Sequence, residues 1–381
     1  MGARGPAGPV DKGLEHVVMG ESRITLVEGE TGGLSYRGYS IEELVRHASY
    51  EAVVHLLLRG APPSPSELHD LEAGLRAHRT LPPEAAAVLA SVPRGLPPLE
   101  ALRTLISSLG DGRTFGYPPT IDEGIALVAQ VPVLLAGYVR RNQGLEPLEP
   151  PADIGHVALY LYLLTGRRPD PAQVRALESY FILLADHGMN ASTFALRVVL
   201  STQSDLLSGA TAALAALKGP LHGGAPSKVS DMLDSVGAAE NAERWVAAAL
   251  ARKERLMGFG HRAYKTEDPR ARVLKQVARA CAAPERLRLA EAVEAAAVAA
   301  LERSKPGLRL YTNVEFYGAV VLEAAGLPRE LFTPTFAVAR TAGWAAHALE
   351  QAADNRLIRP EVAYLGDPPG RPWPAGAART A

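Results

Sequence analysis

The sequence predicts an all-α fold of two domains, with one small β-hairpin near the N-terminus. Helix start signals recur along the chain ahead of apolar residues that are spaced three and four positions apart. Runs of β-branched residues alternating with polar ones are scarce, and no fixed-period repeat indicates a solenoid. With 381 residues and 47% hydrophobic content, the chain can bury a large core. A disordered or fibrous protein is therefore excluded.

The predicted hairpin consists of the segments RITLVEG, residues 23–29, and GGLSYRG, residues 32–38. The two segments flank a glycine-rich turn, which is typical of paired antiparallel strands. No other segment carries a comparable strand signal. We therefore expect a single small sheet at the start of a helical chain.

The helix predictions that follow depend on capping signals. Ser40, Ser64 and Thr120 each stand three positions before a glutamate, which is the spacing of a capping box, and Asp170 precedes a proline at the first helical position. The Ala-rich segment TAALAALKGP is stopped by glycine and proline. Further helices are predicted in GGAPSKVSDMLDSVG, AENAERWVAAALARKER, PRARVLKQVARA and PERLRLAEAVEAAAVAALERS.

The domain prediction depends on how charge is distributed along these helices. Apolar helices before residue 222 indicate one core, and the more charged helices of residues 222–330 indicate a smaller unit. The apolar segment FTPTFAVARTAGWAAHAL then resembles the first core again. We predict a discontinuous large domain, residues 1–221 and 331–381, with an inserted small domain, residues 222–330. The Pro- and Gly-rich tail GDPPGRPWPAGAARTA is expected to be extended or disordered unless it packs on a partner.

Charge and cysteine content exclude several classes of function. The formal net charge is -1 and the basic residues are scattered, so nucleic acid is not a predicted partner. Cys281 is the single cysteine, which excludes a disulfide framework and a multi-cysteine metal site and fits a reducing cytoplasm. Charge or proline interrupts every long apolar run before about 18 residues. We predict a cytoplasmic protein without a membrane partner.

Three histidines stand beside glycine in loop-like segments, where the backbone can approach a ligand closely. They are His187 in LLADHGMNAST, His222 in KGPLHGGAP and His261 in LMGFGHRAYKTEDPR. A single histidine in such a segment is more often a capping or core-edge residue. Neither a G-x-S-x-G elbow nor an H-E-x-x-H motif is present, and the histidines lack close metal-ligand spacing.

Charged residues in the second half of the chain allow two readings. Arg270, Arg340 and Arg359 could form an anion clamp, although each one alone is more often a solvated helix cap. Glu315 lies within the apolar segment YTNVEFYGAVVLEAAGLP. Burial of an unpaired carboxylate costs several kcal/mol, so it stands either on the rim of a helix or at a site where its charge is used.

Six segments, in order and spacing, resemble the citrate synthase family from about residue 14 to residue 366. They are YRGYSIEEL, DHGMNASTF, KGPLHGGAP, MGFGHRAYKTEDPRARVL, NVEFYGAV and FAVARTAGWAAHALEQAADNRLIRP. The resemblance implies a citrate synthase-like two-domain helical fold and a homodimer. It also implies that acyl-CoA is condensed with a 2-oxo acid, here oxaloacetate, and that neither a metal nor a cofactor takes part.

The same resemblance implies roles for individual residues. Glu315 would remove a proton from the acetyl-CoA methyl group, His222 would donate a hydrogen bond to the thioester oxygen, and His261 would polarise the keto group of oxaloacetate. The residues implied to hold the oxaloacetate carboxylates are His187, Arg270, Arg340 and Arg359, the last from the other subunit. Those implied to bind CoA are Arg255, Leu256, Met257, Gly258, Phe259 and Gly260, with Lys265 as a phosphate partner.

Three residues depart from the common family pattern. Glu315 replaces aspartate, Pro226 replaces asparagine after LHGGA, and Leu184 replaces the histidine of LHADH. The predicted function is citrate synthase. The alternatives are a 2-methylcitrate synthase, which uses propionyl-CoA, and a non-catalytic paralogue that binds dicarboxylate or CoA. One methylene is worth only about 1–3 kcal/mol in a pocket, so the sequence does not rank the two acyl groups.

Overall fold

The structure, a computed structural model, describes residues 10–110, 115–223, 225–304, 310–367 and 369. Within these residues the chain forms sixteen α-helices, two short 3-10 helices and one three-stranded antiparallel sheet. The predicted all-α fold with a small N-terminal sheet is therefore confirmed.

The first half of the chain contains the sheet and nine helices of its described residues. The elements are β1 (Thr25–Glu28), β2 (Gly33–Tyr36), β3 (Tyr39–Ser40), α1 (Ile41–His47), α2 (Tyr50–Arg59), α3 (Pro65–Ala77), α4 (Pro83–Ser91), α5 (Pro98–Ser107), α6 (Ile121–Asn142), α7 (His156–Thr165), α8 (Pro171–Leu184) and α9 (Ala191–Ser201).

The second half is helical throughout its described residues, apart from connecting segments and one isolated bridge. The elements are α10 (Leu206–Leu217), α11 (Ala225–Val236), a 3-10 helix (Ala239–Asn241), α12 (Ala242–Ala251), α13 (Pro269–Cys281), α14 (Pro284–Ser304), α15 (Val314–Ala324), a second 3-10 helix (Arg329–Leu331) and α16 (Phe332–Ala353).

The N-terminal sheet contains the predicted hairpin and one additional strand. β1 and β2 pair antiparallel with Thr25 opposite Tyr36, and β3 adds a short third strand to β2. The Tyr36 side chain is fully buried, and its hydroxyl donates to the carbonyl oxygens of Leu183 and Asp186. The sheet is thereby attached to the end of α8.

The capping signals of the sequence are present at the helix starts. Ser64 and Thr120 each complete a capping box with the glutamate three positions on, and Asp170 completes one with Gln173. Ser40 accepts a hydrogen bond from the amide of the third residue of α1. These side chains satisfy amide groups that a helix leaves unpaired at its N-terminus.

The core is built around α16, which is buried along most of its length. It packs against α2, α6, α8, α9 and α10, with the Trp344 side chain fully buried. Among the described helices, α6 alone is long and apolar enough to cross a membrane, and most of it is buried inside the protein. Burial of this extent is typical of a helix in a protein core, so the length of α6 is weak evidence for a membrane span.

The chain divides into two compact units. Ser22–Leu357 forms one, and the described parts of Met1–Glu21 and Ile358–Ala381 form the other. The division that the sequence predicts, with a small domain at residues 222–330, lies within the first unit and stays a prediction. Within the first unit α13 packs against α15 and α8, which brings two helix N-termini together.

Candidate active site

Asp268 caps two helices at once. It is the N-cap of α13, where it accepts the amide of Arg270 at 3.0 Å, and its Oδ2 accepts the amide of Val314, the first residue of α15, at 3.1 Å. A helix N-terminus carries partial positive charge, which a shared carboxylate offsets. The N-termini of α13 and α15 therefore meet at Asp268, and they bring Arg270 and Glu315 close to one another.

Arg270 and Asp268 form a buried ion pair. The guanidinium donates from Nε to Oδ1 at 3.0 Å and from Nη2 to Oδ2 at 2.8 Å, and the two side chains are 3% and 0% exposed. Burial acts to raise the pKa of Asp268, but the charge of Arg270 outweighs it and the pKa lies below its ordinary value. The pair therefore remains charged.

Glu315 lies in the first turn of α15 and follows Val314, whose amide donates to Asp268 of this ion pair. Its amide donates to the N-cap Asn313 at 3.0 Å, and no hydrogen bond to its carboxylate is present among the described residues. Burial raises the pKa of Glu315 to about 8, although the charges of Arg270 and Arg340 act in the opposite direction. An unpaired carboxylate with a raised pKa is suited to accept a proton.

N–H donors face both ring nitrogens of His261. Its Nδ1 accepts the amide of Ala263 at 3.0 Å, while burial and the charge of Arg270 lower its pKa to about 4. Nε2 lies 3.3 Å from Nη2 of Arg270, which can only donate, so two N–H groups compete for the single lone pair of the neutral ring. An oxygen of an anionic ligand that accepts from Arg270 would leave the ring proton on Nε2, from which His261 can donate as well.

His222 is held from the opposite side by α9. The Ser192 amide lies 3.2 Å from His222 Nε2 and also donates to Oδ1 of Asn190, the N-cap of α9, at 3.1 Å. The Ser192 hydroxyl donates to Asn190 Oδ1 at 2.7 Å, so its oxygen can accept both from His222 Nε2, 2.9 Å away, and from the indole N–H of Trp344 at 3.3 Å. Burial, with the nearby charge of Arg340, lowers the pKa of His222 to about 4, so the ring is a neutral donor.

His187 and His261 pack edge to face, with ring centroids 5.3 Å apart. The Tyr264 hydroxyl lies 3.0 Å from Nε2 of His187. Burial, then the charges of Arg270 and its neighbours, lower the pKa of His187 well below its ordinary value. This histidine is also neutral, and it lies beside cations.

Arg340 on α16 completes the cluster. It is 1% exposed, its Nε donates to the Leu184 carbonyl at 2.6 Å, and its guanidinium lies 4.7 Å from the Phe336 ring centre. Its charge acts on His187, His222 and Glu315. Leu184, which replaces the histidine of LHADH, still accepts this hydrogen bond because the acceptor is its backbone carbonyl. The Leu184 side chain is buried in the core.

The segment predicted to bind CoA is attached to the start of α15. Gly258 accepts the amide of Asn313 at 2.8 Å, and the carbonyl of Gly260 accepts the side-chain amide of Asn313 at 2.9 Å. Phe259 forms an isolated antiparallel bridge with Thr312. At Gly258, φ is +81° and a Cβ would lie 2.9 Å from the Cβ of Phe316, so glycine is required there. Residues 256–260 are thus fixed beside Glu315.

The remaining predicted residues have different surroundings. Arg255 is exposed, Leu256 is buried and Met257 is partly buried. The Lys265 side chain is exposed and forms an ion pair with Glu30 in the hairpin turn, so an acidic partner already faces the predicted phosphate-binding group. Arg359 belongs to the other compact unit, in an exposed segment after α16, and its role stays a prediction.

Pro226 lies in the first turn of α11 and is buried. Proline is tolerated at this position, because the first amide groups of a helix have no partner within the helix. The departure from asparagine is therefore compatible with the helix start. Its neighbour Gly224 lies outside the described residues.

Sequence reasoning missed the side chains that orient the predicted ones: Ser192, Tyr264, Asp268 and Asn313. A signal existed for two of them, since Asp268 precedes a proline and Asn313 precedes an apolar helical segment, both of which are N-cap patterns. No local pattern marks Ser192 or Tyr264 as a partner of a histidine. Those contacts join segments that are distant in the sequence.

Comparison with known proteins gives a consistent result. A family model described as the C-terminal domain of citrate synthase matches residues 13–361. Citrate synthase 2 of Bacillus subtilis is 41% identical over 93% of this chain and 95% of its own. The 2-methylcitrate synthase of Mycobacterium tuberculosis is 38% identical over 94% of this chain and 91% of its own.

A solved structure of citrate synthase from Thermoplasma acidophilum, a ternary complex with carboxymethyl coenzyme A and oxaloacetate, is also similar. It has 29% identity and a TM-score of 0.89, covering 97% of this chain and 99% of that one. Fold and matches together define a helical condensing enzyme of the acyltransferase class. The chain belongs to the citrate synthase family.

Proposed function

We propose that this protein is a citrate synthase, which condenses acetyl-CoA with oxaloacetate and water to give citrate and free CoA. The observation that carries the proposal is the unpaired carboxylate of Glu315, with its raised pKa, beside the paired donors of Arg270 and His261. A proton acceptor next to a site for an anionic carbonyl compound is the arrangement that an enolisation and addition requires.

In the first step, Glu315 takes a proton from the methyl carbon of acetyl-CoA. The electron pair of that C–H bond forms the enolate, and its negative charge collects on the thioester oxygen. His222 donates a ring N–H in a hydrogen bond to this oxygen. A neutral histidine is suited to this role because it donates without transferring a full charge to the site.

In the second step, the enolate carbon attacks the keto carbon of oxaloacetate, and the keto oxygen takes the Nε2 proton of His261, which gives citryl-CoA. His261 regains a proton from solvent, and Glu315 releases the methyl proton to solvent. His261 and Arg270 would polarise the keto group, since both present N–H donors toward one position. Water then cleaves the thioester, releasing citrate and CoA. His187, Arg270 and Arg340 would hold the carboxylates of oxaloacetate, together with Arg359 of the partner subunit in a cytoplasmic homodimer.

CoA would bind along residues 255–260, where the backbone is fixed beside Glu315. Lys265 would contact a phosphate of CoA, which requires that it leave its ion pair with Glu30. Both side chains of that pair are about three-quarters exposed, so the pair is weak and the exchange costs little.

We expect kcat/KM for acetyl-CoA to rise about tenfold per pH unit below pH 8 and to level off above it, at saturating oxaloacetate. Glu315 has a pKa of about 8, and only its ionised form accepts a proton, so activity falls as pH falls. His222 and His261, with pKa values near 4, stay neutral and add no further limb above pH 5. A rate profile that is flat from pH 6 to 9 would contradict the assignment.

Release of free CoA thiol tests the proposed reaction directly. We expect release from acetyl-CoA that depends on oxaloacetate, with a kcat/KM for propionyl-CoA about 10- to 200-fold lower, the range that one methylene group provides. A ratio in favour of propionyl-CoA would identify a 2-methylcitrate synthase instead. Silence with both thioesters, in protein that binds oxaloacetate by calorimetry, would indicate a non-catalytic paralogue and overturn the proposal.

A further inference from the structure

Tyr264 contacts two of the histidines in the cluster. Its hydroxyl lies 3.0 Å from Nε2 of His187, and its ring centre is 4.9 Å from that of His261. The side chain is only 5% exposed. We propose that Tyr264 is a positioning residue that fixes the ring proton of His187 on Nδ1, an inference that rests on the proposed function of His187 as a ligand of oxaloacetate.

The direction of the hydrogen bond follows from the chemistry of the two groups. Burial raises the pKa of Tyr264, so the phenol keeps its proton throughout the working pH range. No other acceptor for this hydroxyl is present in the part of the chain that the structure describes. The phenol O–H therefore donates to Nε2 of His187, and a neutral imidazole that accepts at Nε2 carries its proton on Nδ1.

Burial and the charges around His187 keep its ring neutral, so the ring can bind an anion only through the nitrogen that carries its single proton. Arg270 and Arg340 oppose a second proton on the ring, so His187 has only one N–H to offer. If that proton were on Nε2, the lone pair would be on Nδ1, the ring nitrogen that has no hydrogen-bond partner among the described residues, and it would repel a carboxylate that bound there. With the proton on Nδ1, the same ring donates to an anion. By occupying Nε2, Tyr264 thus keeps the N–H group of the neutral His187 ring on Nδ1, where it can donate to a ligand.

The N-terminal sheet fixes the loop that carries Tyr264. The amide of Lys265 donates to the carbonyl of Gly29 at 2.9 Å. A Cβ at Gly29 would lie 2.1 Å from the carbonyl oxygen of Ala263, so the hairpin turn approaches this loop as closely as glycine permits. On the other side, Thr25 of β1 donates to Asp186, the neighbour of His187, at 2.6 Å. The sheet therefore holds both partners of the hydrogen bond.

Steady-state kinetics of Tyr264→Phe test the role in binding. The variant keeps the ring contacts and loses the hydroxyl. We expect KM for oxaloacetate to rise about tenfold, the value of one hydrogen bond to a charged or polar partner, with kcat changed less than about threefold. Tyr39→Phe, at a partly exposed tyrosine of β3, is the matched control and should leave both constants unchanged. An unchanged KM in Tyr264→Phe would overturn the inference.

Nitrogen NMR of the full-length protein, labelled with ¹⁵N-histidine, tests the tautomer itself and needs no turnover. With His187 assigned by comparison with His187→Gln, we expect a protonated Nδ1 and an unprotonated Nε2 in the native protein, and averaged shifts in Tyr264→Phe. A protonated Nε2 in the native protein would refute the inference even if the variant failed to fold. Because the spectrum is independent of catalysis, it also separates this inference from the proposed reaction.

Discussion

Replacing Glu315 with glutamine is expected to reduce kcat for CoA release by about 10³-fold, within the range of 10²–10⁴ that general acid–base catalysis contributes. Glutamine keeps the length and shape of the side chain but cannot accept the methyl proton. The carboxylate has no hydrogen-bond partner among the described residues, so its loss leaves no side chain unpaired there. Removal of a negative charge near Arg270 should leave oxaloacetate binding intact or slightly stronger.

The measurement pairs two assays, CoA thiol release for turnover and calorimetry for oxaloacetate binding. Glu323→Gln is the matched control, since Glu323 stands in the last turn of the same helix and pairs with Arg286. It should change kcat less than about twofold, because it lies outside the cluster and a partly exposed ion pair contributes little. Retained turnover in Glu315→Gln would show that another group removes the proton.

Replacing Asp268 with alanine is expected to lower the free energy of unfolding by about 3–5 kcal/mol, the cost of leaving a buried partner charge uncompensated. Arg270 is 3% exposed, and its two hydrogen bonds to the carboxylate would be lost. The same substitution removes the cap of α13 and the acceptor of the Val314 amide on α15. The substitution should therefore lower stability and displace the Glu315 carboxylate at the same time.

Chemical denaturation at one fixed protein concentration measures the effect, because any association would make the apparent stability concentration-dependent. Asp153→Ala is the control. Asp153 also pairs with an arginine, Arg168, but the two side chains are 64% and 62% exposed. That substitution should cost less than about 1 kcal/mol. Equal losses in the two variants would mean that the buried pair has no special weight in this fold.

Local sequence patterns predicted most of the secondary structure because the determinants of helix starts are local. Ser64, Thr120 and Asp170 cap helices where the spacing of polar residues predicted it. The third strand, Tyr39–Ser40, was missed because two residues contain no periodicity and pair only in the folded sheet. The sequence pattern predicted a helix from residue 239. In the structure a 3-10 turn occupies Ala239–Asn241, and α12 begins at Ala242.

The site was predictable in its residue types but not in its partners. Six of the seven residues predicted for catalysis and oxaloacetate binding lie in one unit and interact electrostatically, and their roles stay predictions. The protonation states of the histidines were not predictable. They depend on the amide of Ser192, on Tyr264 and on the burial of each ring, which are consequences of packing between distant segments.

The three-stranded sheet has a consequence for the order in which the protein folds. A hairpin is a local structure that forms within microseconds, and β1 and β2 are among the first segments to leave the ribosome. Its contacts with the rest of the site are distant: Thr25 and Asp186 are 161 positions apart, and Glu30 and Lys265 are 235 apart. More than half of the chain must therefore be synthesised after the hairpin before Lys265, the partner of Glu30, is present. Nascent chains that end before residue 265 lack this neighbour, so the cluster around His187 and His261 is completed late in translation.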